Sequence, residues 1–242
     1  MFWFCKTKPV TVYFYTTREE VFNFSKPERA SKFIPKWIKE LPNGSFNCEN
    51  KELIVDKNLK TCAGFLNLYK TGFMFPMWSD LNVEVDPSGH YRYQFIDRKS
   101  LAIQHSAKQF DGFSLADSHI SLKLENPWLM IPDKNIDVLF SAPFWNNFGF
   151  DDIVVVPGIY DPKVAAGASN INLFFKKKQE KVVYELFLNQ PLVHVIPITK
   201  APLILKHELI TEKELDKIKA KFPIYLTDRN RYNRVKKLCP YE

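Results

Sequence analysis

Apolar and polar side chains alternate along several short stretches of the chain, as they do in strands with one buried face. Residues 81–85 place leucine and two valines on one face, and asparagine and glutamate on the other. Residues 86–89, Asp-Pro-Ser-Gly, fit a type I turn, because proline fixes φ at the second position and glycine accepts the exit geometry. Aromatic residues at 91, 93 and 95 resume the alternation. The pattern predicts a β-hairpin over residues 81–96.

Other stretches rich in β-branched and aromatic residues predict further strands. They lie at residues 10–16, 53–55, 101–104, 119–125, 128–131, 136–141, 153–156, 171–175, 182–188 and 192–198. We expect the charged residues 176–181 to form an exposed hairpin between two of them. Strands at short intervals, without regular strand-helix alternation, indicate a mainly β fold class. The expected architecture is an antiparallel β-sandwich or a jelly-roll-like arrangement.

Three short helices are predicted beside the strands. One lies near 35–41, where Pro35 is tolerated at the first helical position but would break a longer helix. A second lies near 62–70, where apolar residues follow one side of a helical turn. The third, near 212–222, begins with a capping box in which Thr211 and Glu214 each satisfy a free backbone N–H group.

These patterns divide the chain into a β-sandwich domain, residues 1–205, and a helical, basic extension packed on it, residues 206–242. The formal net charge is +7, and from Lys200 onward eleven Lys and Arg residues face six Asp and Glu. A basic tail suits nucleic acid, a neighbouring subunit or simply solubility, and a solvated face is the ordinary explanation. The candidate binding residues of the tail are Arg229, Arg231, Arg234, Lys236 and Lys237.

The compartment follows from two absences in the sequence. No apolar run approaches the roughly 18 residues that span a bilayer, and the opening residues lack the cleavage site of a signal peptide. We expect cytoplasmic synthesis and no membrane partner. The four cysteines form no Cys-x-x-Cys pair, which predicts free thiols. We expect Cys62 to be a packed structural thiol.

Metal-dependent catalysis is the enzymatic alternative that a jelly-roll fold raises, because such sites use two histidines and a carboxylate on facing strands. None of the five histidines begins a His-x-Asp or His-x-Glu motif. The best available set is His105, Asp117, His119 and His194, although a solvent-facing strand position is the ordinary explanation for His119. There is no Gly-x-Ser-x-Gly motif and no glycine-rich phosphate loop. We predict no catalytic residue and no cofactor.

An aromatic loop at residues 144–150 is the clearest candidate for ligand contact. Trp145 is followed by Asn146 and Asn147, and an aromatic face beside amide groups suits stacking on a sugar or a base. A loop of this kind more often caps the open end of a sandwich. The three residues are candidate binding residues.

Four short motifs resemble those of a group of β-rich proteins of unknown function that tailed bacteriophages encode, many of them infecting marine bacteria. The motifs are Lys-Thr-Cys-Ala-Gly-Phe at 60–65, Leu-Tyr-Lys at 68–70, Trp-Ser-Asp at 78–80 and Asn-Gln-Pro-Leu-Val-His-Val-Ile-Pro at 189–197. The resemblance covers roughly residues 30–200. The group usually has proline where this chain has Ala63, and often cysteine where it has Ser79. The resemblance implies a viral origin and an antiparallel β architecture, without catalytic residues.

Three functional hypotheses follow. The first is a non-enzymatic phage protein that binds other protein subunits, such as a decoration or tail-associated component of the virion, or a second copy of itself. It would be synthesised in the host cytoplasm. The second is a metal-dependent jelly-roll enzyme, of the oxygenase or isomerase type, that acts during infection. The third is nucleic-acid binding through the basic tail.

Overall fold

A computed structural model describes residues 7–43, 45–47, 52–54, 58–104, 107–146, 152–163 and 167–222. It is mainly β, with several antiparallel sheets packed around an apolar core, and this confirms the predicted fold class. Short helices and 3-10 turns connect the strands. Within these ranges, no helix is both long and apolar enough to cross a membrane.

The strands of the described ranges number seventeen. They are β1 (Val10–Thr16), β2 (Glu28–Arg29), β3 (Ser45–Asn47), β4 (Glu52–Ile54), β5 (Phe73–Pro76), β6 (Leu81–Val85), β7 (Tyr91–Phe95), β8 (Ala102–Gln104), β9 (His119–Leu124), β10 (Leu129–Pro132), β11 (Val138–Ser141), β12 (Ile153–Val155), β13 (Gly158–Tyr160), β14 (Ile171–Lys176), β15 (Val182–Leu186), β16 (Pro191–Pro197) and β17 (Leu203–Leu209).

The α-helices of the same ranges are α1 (Glu19–Phe24), α2 (Lys36–Lys39), α3 (Ala63–Lys70), α4 (Ser114–Ser118) and α5 (Glu212–Lys219). The 3-10 turns are Ala30–Phe33, Leu59–Thr61, Ala107–Phe110 and Phe144–Asn146. The three predicted helices correspond to α2, α3 and α5. Both reciprocal bonds of the capping box, between Thr211 and Glu214, are present at the start of α5.

The seventeen described strands form five sheets. Their orders are β10-β1-β17, β13-β11-β16-β5-β2, β12-β14-β9-β8, β15-β6-β7 and the pair β3-β4. The predicted hairpin is the β6–β7 pair, in which Leu81 lies opposite Phe95 and Val85 opposite Tyr91. Its turn is closed by a 3.0 Å hydrogen bond from the Gly89 N–H to the Asp86 carbonyl oxygen.

The main core lies between the sheets because alternate residues of their strands point inward. On β6, the leucine and both valines are buried, while Asn82 is exposed. β5 is buried on both faces: Phe73 and Phe75 join the main core, and Met74 joins a smaller cluster with Ile38 and Phe65. This second cluster lies under α2 and α3, and it positions the candidate site described below.

One pairing among the described strands is parallel. β17 lies beside β1 over its whole length, with Val10 opposite Leu203 and Thr16 opposite Leu209. The sequence pattern predicted no strand here. β17 continues through residues 205 and 206, where the sequence places the boundary between sandwich and extension. Residues 223–242 of that extension lie outside the described part of the chain.

The predicted hairpin at residues 176–181 is wrong. β14 pairs with β9 and β12, whereas β15 pairs with β6. The lysine-rich connection therefore carries the chain from one sheet to another. Its charges pair with neighbouring segments: Lys178 Nζ is 2.6 Å from Asp152 Oδ2, and Lys181 Nζ is 2.8 Å from Glu84 Oε2.

Candidate binding surface

The second cluster fixes the geometry of the best candidate site, because α3 packs on the outer face of β5 and β16. Phe65 and Tyr69 lie one helical turn apart on α3 and are both buried. Their ring centroids are 4.8 Å apart. Residues four apart on a helix share a face, so the apolar face of α3 covers Met74 and leaves Lys70 exposed.

Tyr69 connects α3 to the aromatic loop. Its hydroxyl donates a 2.7 Å hydrogen bond to Oδ1 of Asn146. Nδ2 of Asn146 in turn donates a 2.7 Å bond to the carbonyl oxygen of Phe33. Burial raises the pKa of Tyr69 well above its ordinary value, so the phenol stays protonated and acts as a donor. The amide of Asn146 thus fixes the loop instead of pointing to a ligand.

The loop turn presents an aromatic surface, defined here as Trp37, Phe144 and Trp145. Phe144 is 57% exposed and Trp37 is 39% exposed. Trp145 lies between them, with ring centroids 5.3 Å from Phe144 and 6.5 Å from Trp37. Its own ring packs edge-on against Phe65. The indole N–H of Trp37 donates a 3.3 Å bond to the Trp145 carbonyl oxygen, which joins α2 to the loop.

Positive charge accompanies this surface along α2 and the turn before it. Residues 30–41 contain three lysines and one glutamate. Lys36 and Glu40 form an exposed pair with 3.5 Å between Nζ and Oε1, and Lys32 pairs with Glu28 at 2.6 Å. Such exposed pairs hold their charges weakly, so the lysines stay available to an acidic partner.

The sequence predicts that a short helix begins at Pro35, because proline would break a longer one. The structure agrees: the 3-10 turn Ala30–Phe33 precedes Pro35, and the separate helix α2 follows it. Ile38 is buried, but Trp37 is partly exposed beside Trp145. The position of Trp37 beside the loop has no local signal in the sequence, because it depends on a contact between α2 and a distant segment. Tyr69 belongs to the apolar residues that the sequence places on one side of the helix near 62–70.

His194 lies against the same cluster but has a structural hydrogen bond. It is 2% exposed, and Nε2 is 2.8 Å from the carbonyl oxygen of Thr71. Because a carbonyl only accepts, Nε2 carries the proton. Burial lowers the pKa of His194, and its ring centroid is 6.4 Å from that of Tyr69. The structure thus brings His194 close to the residue that holds Asn146, which the sequence did not suggest.

His119 is buried rather than solvent-facing, so that expectation is wrong. It is 8% exposed on β9 because the segment containing α4 covers the outer face of β9 and β14. Its ring packs edge-on against Phe174, with Nδ1 2.8 Å from Oγ of Ser118. Among the described residues, Nε2 has no hydrogen-bond partner. Burial lowers the pKa of His119.

The described members of the predicted metal set do not form a site. Asp117 is exposed on α4, His119 is on β9 and His194 is on β16 of another sheet. Across the described ranges, no group of three or more His, Cys, Asp or Glu side chains is arranged to hold a metal ion. His105 lies outside these ranges, as do the other predicted site residues Asn147, Arg229, Arg231, Arg234, Lys236 and Lys237.

Cys62 is also placed differently from the prediction. It is a free, exposed thiol just before α3, where the chain leaves the Leu59–Thr61 turn. The buried face of α3 begins at Phe65, so Cys62 does not reach the packed stripe. It is therefore not the packed structural thiol that the sequence suggested.

The chain matches no protein-family model, no curated protein and no solved structure. Functional proposals therefore rest on the residues described above.

Proposed function

We propose that the protein is a non-enzymatic binding protein and that the aromatic surface is its contact with another protein. The single observation that supports this is the exposure of Trp37 and Phe144 around a fixed Trp145. Aromatic residues are enriched at protein interfaces, and tryptophans often dominate their binding energy. The hydrogen bonds through Tyr69 and Asn146 hold the surface in place before binding.

The partner that fits is a protein with an apolar centre surrounded by carboxylates. The three lysines of residues 30–41, against one glutamate, give the charge that such a rim would complement. The resemblance to phage proteins supports a virion component as this partner, so the chain would be a decoration or tail-associated subunit. A metal-dependent enzyme and nucleic-acid binding through the tail are the alternatives that the sequence raises.

Site-specific crosslinking during infection tests the proposal directly. A photoreactive residue at position 37 should crosslink to one virion protein, identified by mass spectrometry. The control is position 187, because Phe187 is an aromatic residue at least as exposed as Trp37, at 57% against 39%, but lies beyond β15, away from the second cluster. The protein should also be present in purified particles. Absence from particles would contradict the virion role, and equal crosslinking at 37 and 187 would contradict the aromatic surface as the contact.

The affinity for the identified partner provides the quantitative test. Trp37→Ala should weaken binding by roughly 30-fold, about 2 kcal/mol, as expected for a tryptophan that contributes strongly to an interface. Phe187→Ala should leave it unchanged. A Trp37-dependent dimer of the purified chain, measured by light scattering, would instead assign the surface to a second copy and overturn the acidic-partner proposal.

A further inference from the structure

A groove of about 360 Å³ lies between the end of α3 and the loop that joins β16 to β17. One wall is formed by residues 70–72, at the end of α3. The other is formed by residues 197–203. Arg29, the last residue of β2, also lines the groove. None of these positions is among the candidate site residues that the sequence suggests.

The groove is lined by three cations and by no described carboxylate. The cations are Arg29, Lys70 and Lys200, all exposed. Among the ion pairs of the described residues, none involves these three side chains. Like charges placed together without a counter-ion repel one another and attract an anion from solution.

The wall beside α3 is held rigidly against β16. Gly72 has a φ of +73°, in the left-handed region, and a Cβ there would overlap the carbonyl oxygen of Val195. The neighbouring carbonyl of Thr71 accepts the 2.8 Å bond from His194 described above. The turn that presents Lys70 is therefore positioned by close backbone packing and by a buried side chain.

The opposite wall is equally fixed. The guanidinium of Arg29 donates to the carbonyl oxygen of Leu203, and the Val10 N–H donates a 2.8 Å bond to the Pro202 carbonyl. Oγ1 of Thr199 accepts a 3.1 Å bond from the Ala201 N–H. No described residue accepts the Thr199 hydroxyl hydrogen, and the guanidinium has further N–H groups besides the one bound to Leu203. The groove thus offers fixed neutral and charged donors together.

From this geometry we propose that the groove binds the phosphate monoester of a small ligand such as a nucleoside monophosphate. A phosphate monoester carries nearly two negative charges near neutral pH and three acceptor oxygens, which matches three cations better than a singly charged carboxylate or phosphodiester does. The volume is at the small end of the range for ligand sites, roughly 300–1,000 Å³. This site is separate from the aromatic surface, and neither proposal depends on the other.

Calorimetric titration of the full chain at low ionic strength tests the proposal. The probes are inorganic phosphate, adenosine 5′-monophosphate and a single-stranded oligonucleotide without terminal phosphate. Phosphate and the monophosphate should bind saturably, and the amides of Thr71, Gly72, Thr199 and Lys200 should shift in nuclear magnetic resonance spectra. If only the oligonucleotide binds, or if no probe binds at millimolar concentration, the proposal is overturned.

Charge-reversal variants distinguish specific binding in the groove from general attraction of an anion to a basic protein. Lys70→Glu and Lys200→Glu should each weaken monophosphate binding at least about tenfold, because each removes a charge-assisted contact. Lys213→Glu makes the same charge change at an exposed position of α5 and should leave the affinity within about twofold. Equal losses in all three variants would overturn the proposal. If a reversal variant fails to fold, Lys70→Gln and Lys200→Gln supply the same comparison.

Discussion

The hydroxyl of Tyr69 donates to Oδ1 of Asn146 across 2.7 Å, and this bond ties the helix α3 to the turn that carries Trp145. The two residues are far apart in the sequence. The Nδ2 atom of Asn146 also donates to the Phe33 carbonyl oxygen. The buried Tyr69 phenol therefore helps to hold three segments together: α3, the turn that carries Trp145, and the 3-10 turn that ends at Phe33. The aromatic surface therefore depends on a residue that a partner would not touch.

We predict that Tyr69→Phe lowers the free energy of unfolding by about 1 kcal/mol, because Oδ1 of Asn146 loses its donor. Urea denaturation followed by tryptophan fluorescence measures the change. Tyr15→Phe is the matched control, since the Tyr15 hydroxyl forms no hydrogen bond within the described ranges, and it should change stability by less than about 0.5 kcal/mol. Equal effects of the two substitutions would contradict the role given to the Tyr69 bond.

Gly72→Ala should destabilise the protein by at least about 1–3 kcal/mol, because a Cβ meets the Val195 carbonyl and because φ is positive. Thermal unfolding measures the loss. The control is Gly158→Ala, where nothing lies within 4 Å of the added Cβ and φ is not in the left-handed region. A tolerated Gly72→Ala would mean that the turn between α3 and β5 does not pack closely on β16.

Stability should fall as the pH drops below about 6.5, the ordinary pKa of histidine. Burial lowers the pKa of His194 in the folded state, and does the same for His119 and His207. As the pH falls, these histidines therefore bind protons at a higher pH in the unfolded chain than in the folded protein. The contribution of neutral histidine to stability is complete above the unfolded-state pKa, and declines between that pKa and the lower folded-state pKa.

His194→Gln isolates the contribution of His194 to the pH dependence of stability. The glutamine amide retains an N–H donor for the Thr71 carbonyl but does not titrate. The free energy of unfolding, measured by urea denaturation across this pH range, should fall less steeply for the variant than for the wild type. A comparison at about pH 8, where both side chains are neutral, isolates the effect of the substitution itself. An unchanged slope would contradict a lowered pKa for His194.

Thr211→Ala should melt much of α5 at a loss of about 1 kcal/mol, because it removes the side chain that accepts from the Glu214 N–H. Amide hydrogen exchange in residues 212–219 reports on this helix. Thr211→Ser keeps the hydroxyl and should retain protection. If alanine and serine protect α5 equally, the capping box does not stabilise the helix.

The parts of the fold that the sequence predicted are those with local signals. The β6–β7 hairpin has alternation on both strands and a Pro-Ser-Gly turn, so its partner strand is its neighbour in sequence. The start of α5 was predictable for the same reason, since Thr211 and Glu214 lie within one turn.

The elements that the sequence did not predict are stabilised by contacts with segments far away in the sequence. β17 contains Lys206, His207 and Glu208 in succession, which interrupts the alternation of apolar and polar residues that would predict a strand. α1 buries only Val21. Similarly, the choice of β6 rather than β14 as the partner of β15 is decided by packing across sheets, which no local pattern encodes.

The sequence suggested only the centre of the candidate surface. Trp145 and Asn146 were candidate binding residues because an aromatic residue beside amides is visible in the sequence, and the structure gives Asn146 a part in holding the loop. Trp37 and Tyr69 come from separate helices and meet the loop only after folding. The burial of His119 was missed because it depends on Phe113 and its neighbours, which cover the outer face of β9 and β14.

The parallel pairing of β1 with β17 has a consequence for biosynthesis. β1 is made long before Leu203–Leu209, yet it needs that strand on one edge and β10 on the other. During translation, one edge of β1 has no β17 to pair with until almost the whole described chain has been made. Folding of this sheet is therefore expected to finish late and slowly, since its most distant contact closes it.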